Sequence, residues 1–150
     1  VAELKDRLRT DLTTAMKGRD ELSTATLRMV LSAVSAEEVS GKEARELTDD
    51  DVMAVLRREA KKRREAAEAF AGAGRAEQAE RERAEEGVIA AYLPAQLDDA
   101  DLAAIVADVV TRTGASGMKD MGRVMGAVTG TVAGRAEGGR VAAEVRRQLG

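Results

Sequence analysis

Two segments of this 150-residue sequence set basic side chains among closely spaced glycines: MKDMGRVMGAV, from Met118 to Val128, and GRAEGGRV, from Gly134 to Val141. Lys119 and Arg123 in the first, with Arg135 and Arg140 in the second, put cations beside backbone that glycine leaves uncovered. That combination suits phosphate recognition. A third basic set lies in RREAKKRR, Arg57 to Arg64. At about 100° per residue, Arg57, Lys61 and Arg64 point away from an apolar stripe of Val55, Leu56, Ala60, Ala67 and Phe70. These residues are the candidate nucleic-acid contacts, although a basic helix face offset by nearby glutamates is equally a solvated surface.

The chemistry that is missing narrows the rest. The chain has no histidine and no cysteine, which removes the imidazole base, the thiol nucleophile and every Cys or His metal site. Ser116 and the other hydroxyls have no histidine base, and no spacing recommends a Ser-Lys pair. GRAEGGRV lacks the preceding strand and the Lys-Ser/Thr ending of a P-loop. Asp49-Asp50-Asp51 and Asp98-Asp99-Asp101 offer oxygens to Mg²⁺, but they stand where helix caps are needed and are read as caps. The expectation is no catalytic residue, no cofactor and no metal. Phe70 and Tyr92 are the only aromatics, which argues against modules that stack unpaired bases on rings. Net charge is only −3, yet Arg112 to Gly150 holds seven basic residues against three acidic ones.

Apolar spacing is helical almost throughout, so the fold class is all-α. Leu4, Leu8, Leu12 and Met16 mark a first helix that Gly18 ends. Leu27, Val30, Leu31 and Val34 mark a second, from about Asp20 to Ser40-Gly41. Thr48 with Asp51 forms a capping box for a third that runs to about Ala71, and a charged fourth ends at Leu93-Pro94. Pro94, the only proline, is the expected boundary between a four-helix bundle over 1–93 and a three-helix bundle over 94–150. In the second bundle Asp98 caps a helix with Leu102, Ile105, Val106, Val109 and Val110 on its apolar face, closed by Gly114. A helix from Met118 to Val132 and, after a loop over Gly134 to Gly139, a short one with Val141, Val145 and Leu149 complete it.

Some positions have two readings. Glu59 and Arg63 fall inside the apolar stripe, as a partly buried ion pair between helices. Gly122 and Gly126 form a G-x-x-x-G that admits either a neighbouring helix or a phosphate backbone. Met118, Met121 and Met125 read as core filling, or as a groove for a partner helix.

Four segments in order, LTDDDVMAVLRREAKKRREAAEAFAGAGR, AAYLPAQLDDADL, GMKDMGRVMGAV and GRAEGGRV, resemble the GatB/YqeY family, specifically its stand-alone YqeY-like members. The C-terminal part is also similar to the tail domain of GatB, a subunit of tRNA-dependent amidotransferases. The resemblance implies a four-helix plus three-helix fold, a tRNA role with contacts at Lys119, Arg123, Arg135 and Arg140, and partners among amidotransferase or other tRNA-processing proteins. It also carries a carbon-nitrogen ligase label with glutamine as amide donor, but the kinase domain and amidase subunit of the amidotransferase have no counterpart here. Glu137 stands where the family more often has aspartate, with glycine next.

The leading expectation is a non-catalytic tRNA-binding module, and the alternative a protein-interaction adaptor. A genuine amide-transfer enzyme is a third class, with no nucleophile-base pair to recommend it. No segment reads as a signal peptide or membrane span, so the expected location is the cytoplasm, with Val1 reading a non-ATG start codon. The oligomeric state is not legible.

Overall fold

A computed structural model describes residues 3–150. Its elements are all helical: α1 (Glu3–Lys17), α2 (Glu21–Glu38), α3 (Asp49–Gly72), α4 (Ala76–Ala90), α5 (Asp99–Thr113), a 3₁₀ turn (Met118–Asp120), α6 (Met121–Val132) and α7 (Gly138–Leu149). No strand occurs among the described residues, and no helix among them is long and apolar enough to cross a membrane. The chain divides into two compact units after Leu93, with α1–α4 in the first and α5–α7 in the second.

The same device starts α3 and α5. Thr48 accepts a hydrogen bond from the Asp51 backbone N–H while the Asp51 carboxylate accepts from the Thr48 N–H, and Asp98 likewise caps the Asp101 N–H at 2.7 Å. Leu47 and Leu97, each just before the cap, are buried in the same clusters as Val52 and Leu102, four residues into each helix. Such hydrophobic staples fix the angle at which a chain enters its helix. The acidic runs are therefore used in capping. Asp49 also accepts from the Leu4 backbone N–H, closing the start of α1.

In the first unit Leu8, Leu27, Val30, Val34, Val52, Val55, Leu56 and Ile89 form the core. Helices α3 and α4 pack along each other, and at their contact the apolar stripe gives way to charge. Arg63 Nη1 lies 3.1 Å from Glu59 Oε1 and its Nε 3.6 Å from Glu85 Oε2 on α4. All three residues are buried. The Glu59–Arg63 pair thus lies within α3, and Glu85 makes the connection between helices. Arg81 pairs with Glu85 at 3.1 Å and exposed Lys62 with Glu59 at 3.2 Å, so each buried carboxylate has two cations. Burial and the neighbouring Glu85 push the Glu82 carboxyl above its ordinary range.

The fourth helix ends at Ala90, three residues short of the expected Leu93. Tyr92 and Leu93 donate to the carbonyls of Ile89 and Ala90 in tight turns, as expected where the residue before Pro94 is driven out of the α region.

In the second unit Leu102, Val106 and Val109 of α5, Val124, Val128 and Val132 of α6, and Val141, Val145 and Leu149 of α7 form the core. Met118–Asp120 is a 3₁₀ turn instead of the first turn of α6, because the Asp120 carboxylate turns back to accept the Ser116 N–H at 3.0 Å. Gly138 and Gly139 belong to the first turn of α7, so the expected loop is shorter by two residues.

Two outcomes follow for stability. Replacing Arg63 with methionine removes the cation that Glu59 and Glu85 share and leaves each with one exposed partner, Lys62 or Arg81, which should cost about 3 kcal/mol in urea unfolding; apolar residues at 59, 63 and 85 together should recover most of that loss. Glu82 has a folded-state pKa raised above its unfolded value, so its contribution is favourable in acid and is lost as pH rises through that pKa. Glu82→Gln should therefore raise the melting temperature at neutral pH, with the gain vanishing in acid.

Candidate nucleic-acid interface

Rotation of α6 decides which of its residues face outward. Val124, Val128 and Val132 recur every four residues and are fully or almost fully buried. At about 100° per residue, Gly122, Gly126, Gly130 and Arg123 then fall within about 60° of the direction opposite Val128. All four are exposed, and a Cβ added at any of the three glycines would meet nothing within 4 Å. Among the described residues of the second unit, no helix packs closely on the G-x-x-x-G, so close helix crossing does not account for it. Met121 and Met125 flank the valines and pack against the core, whereas Met118 is half exposed.

Lys119 is exposed on the 3₁₀ turn, four residues before Arg123, and forms no ion pair among the described residues. Arg123 is positioned by Asp120, whose carboxylate lies 3.1 Å from Nη2, and by the Thr113 carbonyl, 3.0 Å from Nη1. The Ser116 N–H, helped by Arg123, holds the Asp120 carboxyl below its usual range. Asp120 and Thr113 are positioning groups outside the candidate contacts read from the sequence. An acid three residues before an arginine signals the first; a backbone carbonyl leaves no trace in the sequence.

Arg135 and Arg140 face a different task. Arg135 Nε donates to the Ala95 carbonyl at 3.3 Å, and Arg140 Nη2 to the Leu97 carbonyl at 2.9 Å and Asp99 at 3.0 Å. The Leu97 N–H returns a bond to the Arg135 carbonyl, and Gln96 reaches that of Gly134. Arg135 thus fastens the segment before α5 onto the turn between α6 and α7, and Arg140 fastens it onto the first turn of α7. Their replacement would disturb that closure as well as any phosphate contact.

Arg57, Lys61 and Arg64 lie on α3, in the first unit. Arg64 pairs with Glu86 at 3.0 Å and Lys61 with Glu65 at 3.9 Å, while Arg57, partly buried, makes no ion pair among the described residues. The basic excess of the C-terminal stretch is balanced within its unit: residues 94–150 hold seven basic and seven acidic residues, and Arg112 and Arg147 pair with Asp108 and Glu144 at 2.8 Å. Arg123 is likewise balanced by Asp120 at 3.1 Å, and the exposed cations without an ion pair among the described residues include Lys119 on the 3₁₀ turn and Arg146 on α7. No group of three or more acidic side chains among the described residues could hold a metal.

Glycine inside a helix costs up to about 1 kcal/mol against alanine. With open space around its α-carbon, Gly126→Ala should stabilise the protein by up to about that amount in thermal unfolding. A loss of stability would reveal a packing contact at that site.

The search of curated proteins finds no match. A family model does match, over residues 5–149, and its description is Yqey-like protein. From the four ordered sequence segments and this match across almost the whole length, the chain belongs to the Yqey-like protein family.

Proposed function

We propose that the second unit is a tRNA-binding module that works without catalysis, using the outward face of α6. The observation that carries this reading is the stripe Gly122, Gly126 and Gly130, exposed and unused by the fold, with Lys119 and Arg123 at its N-terminal end. Three helix glycines cost stability that alanine would restore, so a function that needs close backbone approach offsets them. Lys119 and Arg123 supply cations for phosphates, and the glycines let a sugar-phosphate backbone approach the helix. With so few aromatic side chains, shape and phosphates dominate over base stacking.

Arg135 and Arg140 join this reading through the donors their internal bonds leave unused, since a guanidinium carries five N–H groups. The face of α3 with Arg57, Lys61 and Arg64 is a secondary surface, weakened by the pairing of Lys61 and Arg64 with glutamates. A place beside tRNA-amidotransferase or other tRNA-processing proteins in the cytoplasm fits the same reading, and amide transfer itself is not part of it. The adaptor alternative depends on a methionine groove. Met121 and Met125 are largely used in packing, which leaves Met118 alone to form one.

With about four phosphate contacts, from Lys119, Arg123, Arg135 and Arg140, the salt slope is near −3.6, or roughly 100-fold weaker binding between 50 and 200 mM salt. Titration of tRNA at the two salt concentrations measures this. Gly126→Ala should weaken binding as well, because a methyl group at a close approach costs about 1 to 3 kcal/mol, roughly fivefold to 150-fold. A stabilised Gly126→Ala protein that binds tRNA normally, or binding indifferent to salt, contradicts the proposal.

A further inference from the structure

The first unit holds an open cavity of about 310 Å³ between the C-terminal half of α1, the start of α2 and the end of α4. Asp11 and Asp20 line it from two different helical segments, with the Ser23 and Tyr92 hydroxyls beside them and Leu27 and Val88 as apolar wall. No basic residue lines it. Lys17 and Arg19, on the adjacent turn, pair with neither aspartate. The size is that of the smaller ligand pockets, and an apolar wall with a few convergent polar groups is their usual construction.

The chain itself displays the chemistry this arrangement selects. Arg7 holds its guanidinium 4.6 Å from the centroid of the Tyr92 ring and 3.9 Å from the Asp11 carboxylate, so one ring and one carboxylate already take a cation together. Arg7 is not among the lining residues and leaves the cavity open. Tyr92 donates its hydroxyl proton to Asp11; burial and that bond push its pKa well up, so it stays a neutral donor. The Ser23 backbone N–H and hydroxyl hold the Asp20 carboxyl below its usual range, which keeps it ionised.

We propose that this cavity binds an alkylammonium or alkylguanidinium group, its cationic head on the Asp11 and Asp20 carboxylates and its aliphatic stem on Leu27 and Val88. The site belongs to the first unit and is independent of the tRNA reading. Its ligand is a free small amine or the lysine or arginine side chain of a partner, which share this chemistry.

Tyr92 is the only tyrosine in a chain without tryptophan, so its fluorescence reports on this cavity alone. The full chain is titrated with agmatine and with N-acetyl-arginine amide, and compared with an Asp11→Asn/Asp20→Asn variant. Asparagine keeps an acceptor for Tyr92 and remains a good helix cap, so circular dichroism should show an unchanged fold. Saturable fluorescence change with agmatine alone assigns the site to a free amine. Saturation with the capped arginine assigns it to a protein side chain, and in either case the variant should bind at least tenfold more weakly. No saturation with either probe up to roughly 10 mM, or an unchanged affinity in the variant, overturns the proposal.

Discussion

Val124, Val128 and Val132 hold α6 in one rotation, and the surface of the second unit depends on that rotation. A helix has one angular degree of freedom about its own axis, and burying three β-branched side chains along one line removes it. Each valine withdraws apolar area worth roughly 1.5 to 3 kcal/mol from water. That sum exceeds the cost of the three glycines on the same helix, which explains how so weak a helix former persists as a helix. The valines also explain why the glycines face outward. Residues spaced four apart share a face, and two such series set out of phase lie on opposite sides.

The two units solve the problem of polar groups differently. In the first, Arg63 and the carboxylates of Glu59 and Glu85 are taken out of water together, with Arg81 and Lys62 completing the charge balance. Such a cluster contributes more to selecting the α3–α4 register than to net stability. In the second, the core is apolar, and polar side chains fasten loops at its margin: Arg135, Arg140 and Gln96 hold backbone carbonyls, and Arg123 holds that of Thr113. Arginine suits both tasks because its donors are fixed in a planar fork. A guanidinium bonded to its own chain is a poorer indicator of a ligand than one left in water. By that criterion Lys119 and Arg146, both exposed and without an ion pair among the described residues, rank before Arg123, whose two terminal nitrogens are held by Asp120 and the Thr113 carbonyl.

Much of this architecture is legible in the residues themselves. Helical periodicity shows the all-α class, and Thr48 with Asp51 and Asp98 announce their caps because capping is a local interaction. The rotation of α6 is less accessible. A 3-4 count through Met118, Met121, Met125, Val128 and Val132 passes over Val124, which lies about 40° from Val128 on the other side of the same face and is fully buried. Gly130 extends the stripe begun by Gly122 and Gly126 and is found by the same spacing of four. That no helix of the second unit packs on those glycines among the described residues is a tertiary fact. So is the use of Arg135 and Arg140, whose acceptors lie about forty residues away in sequence. The Glu85 contribution to the buried cluster is half visible, through the four-residue spacing from Arg81, but its meeting with Arg63 requires the α3–α4 hairpin.

The central claim is that the outward face of α6 serves a nucleic-acid backbone and not the fold. The most direct measurement is ultraviolet crosslinking of RNA to the native protein in cells, with the attached nucleotides sequenced and the modified peptides mapped. The account predicts tRNA as the enriched RNA and crosslinks concentrated between Lys119 and Gly130. Crosslinks absent from that segment while abundant elsewhere on the chain, or a protein that carries no RNA at all, would contradict it.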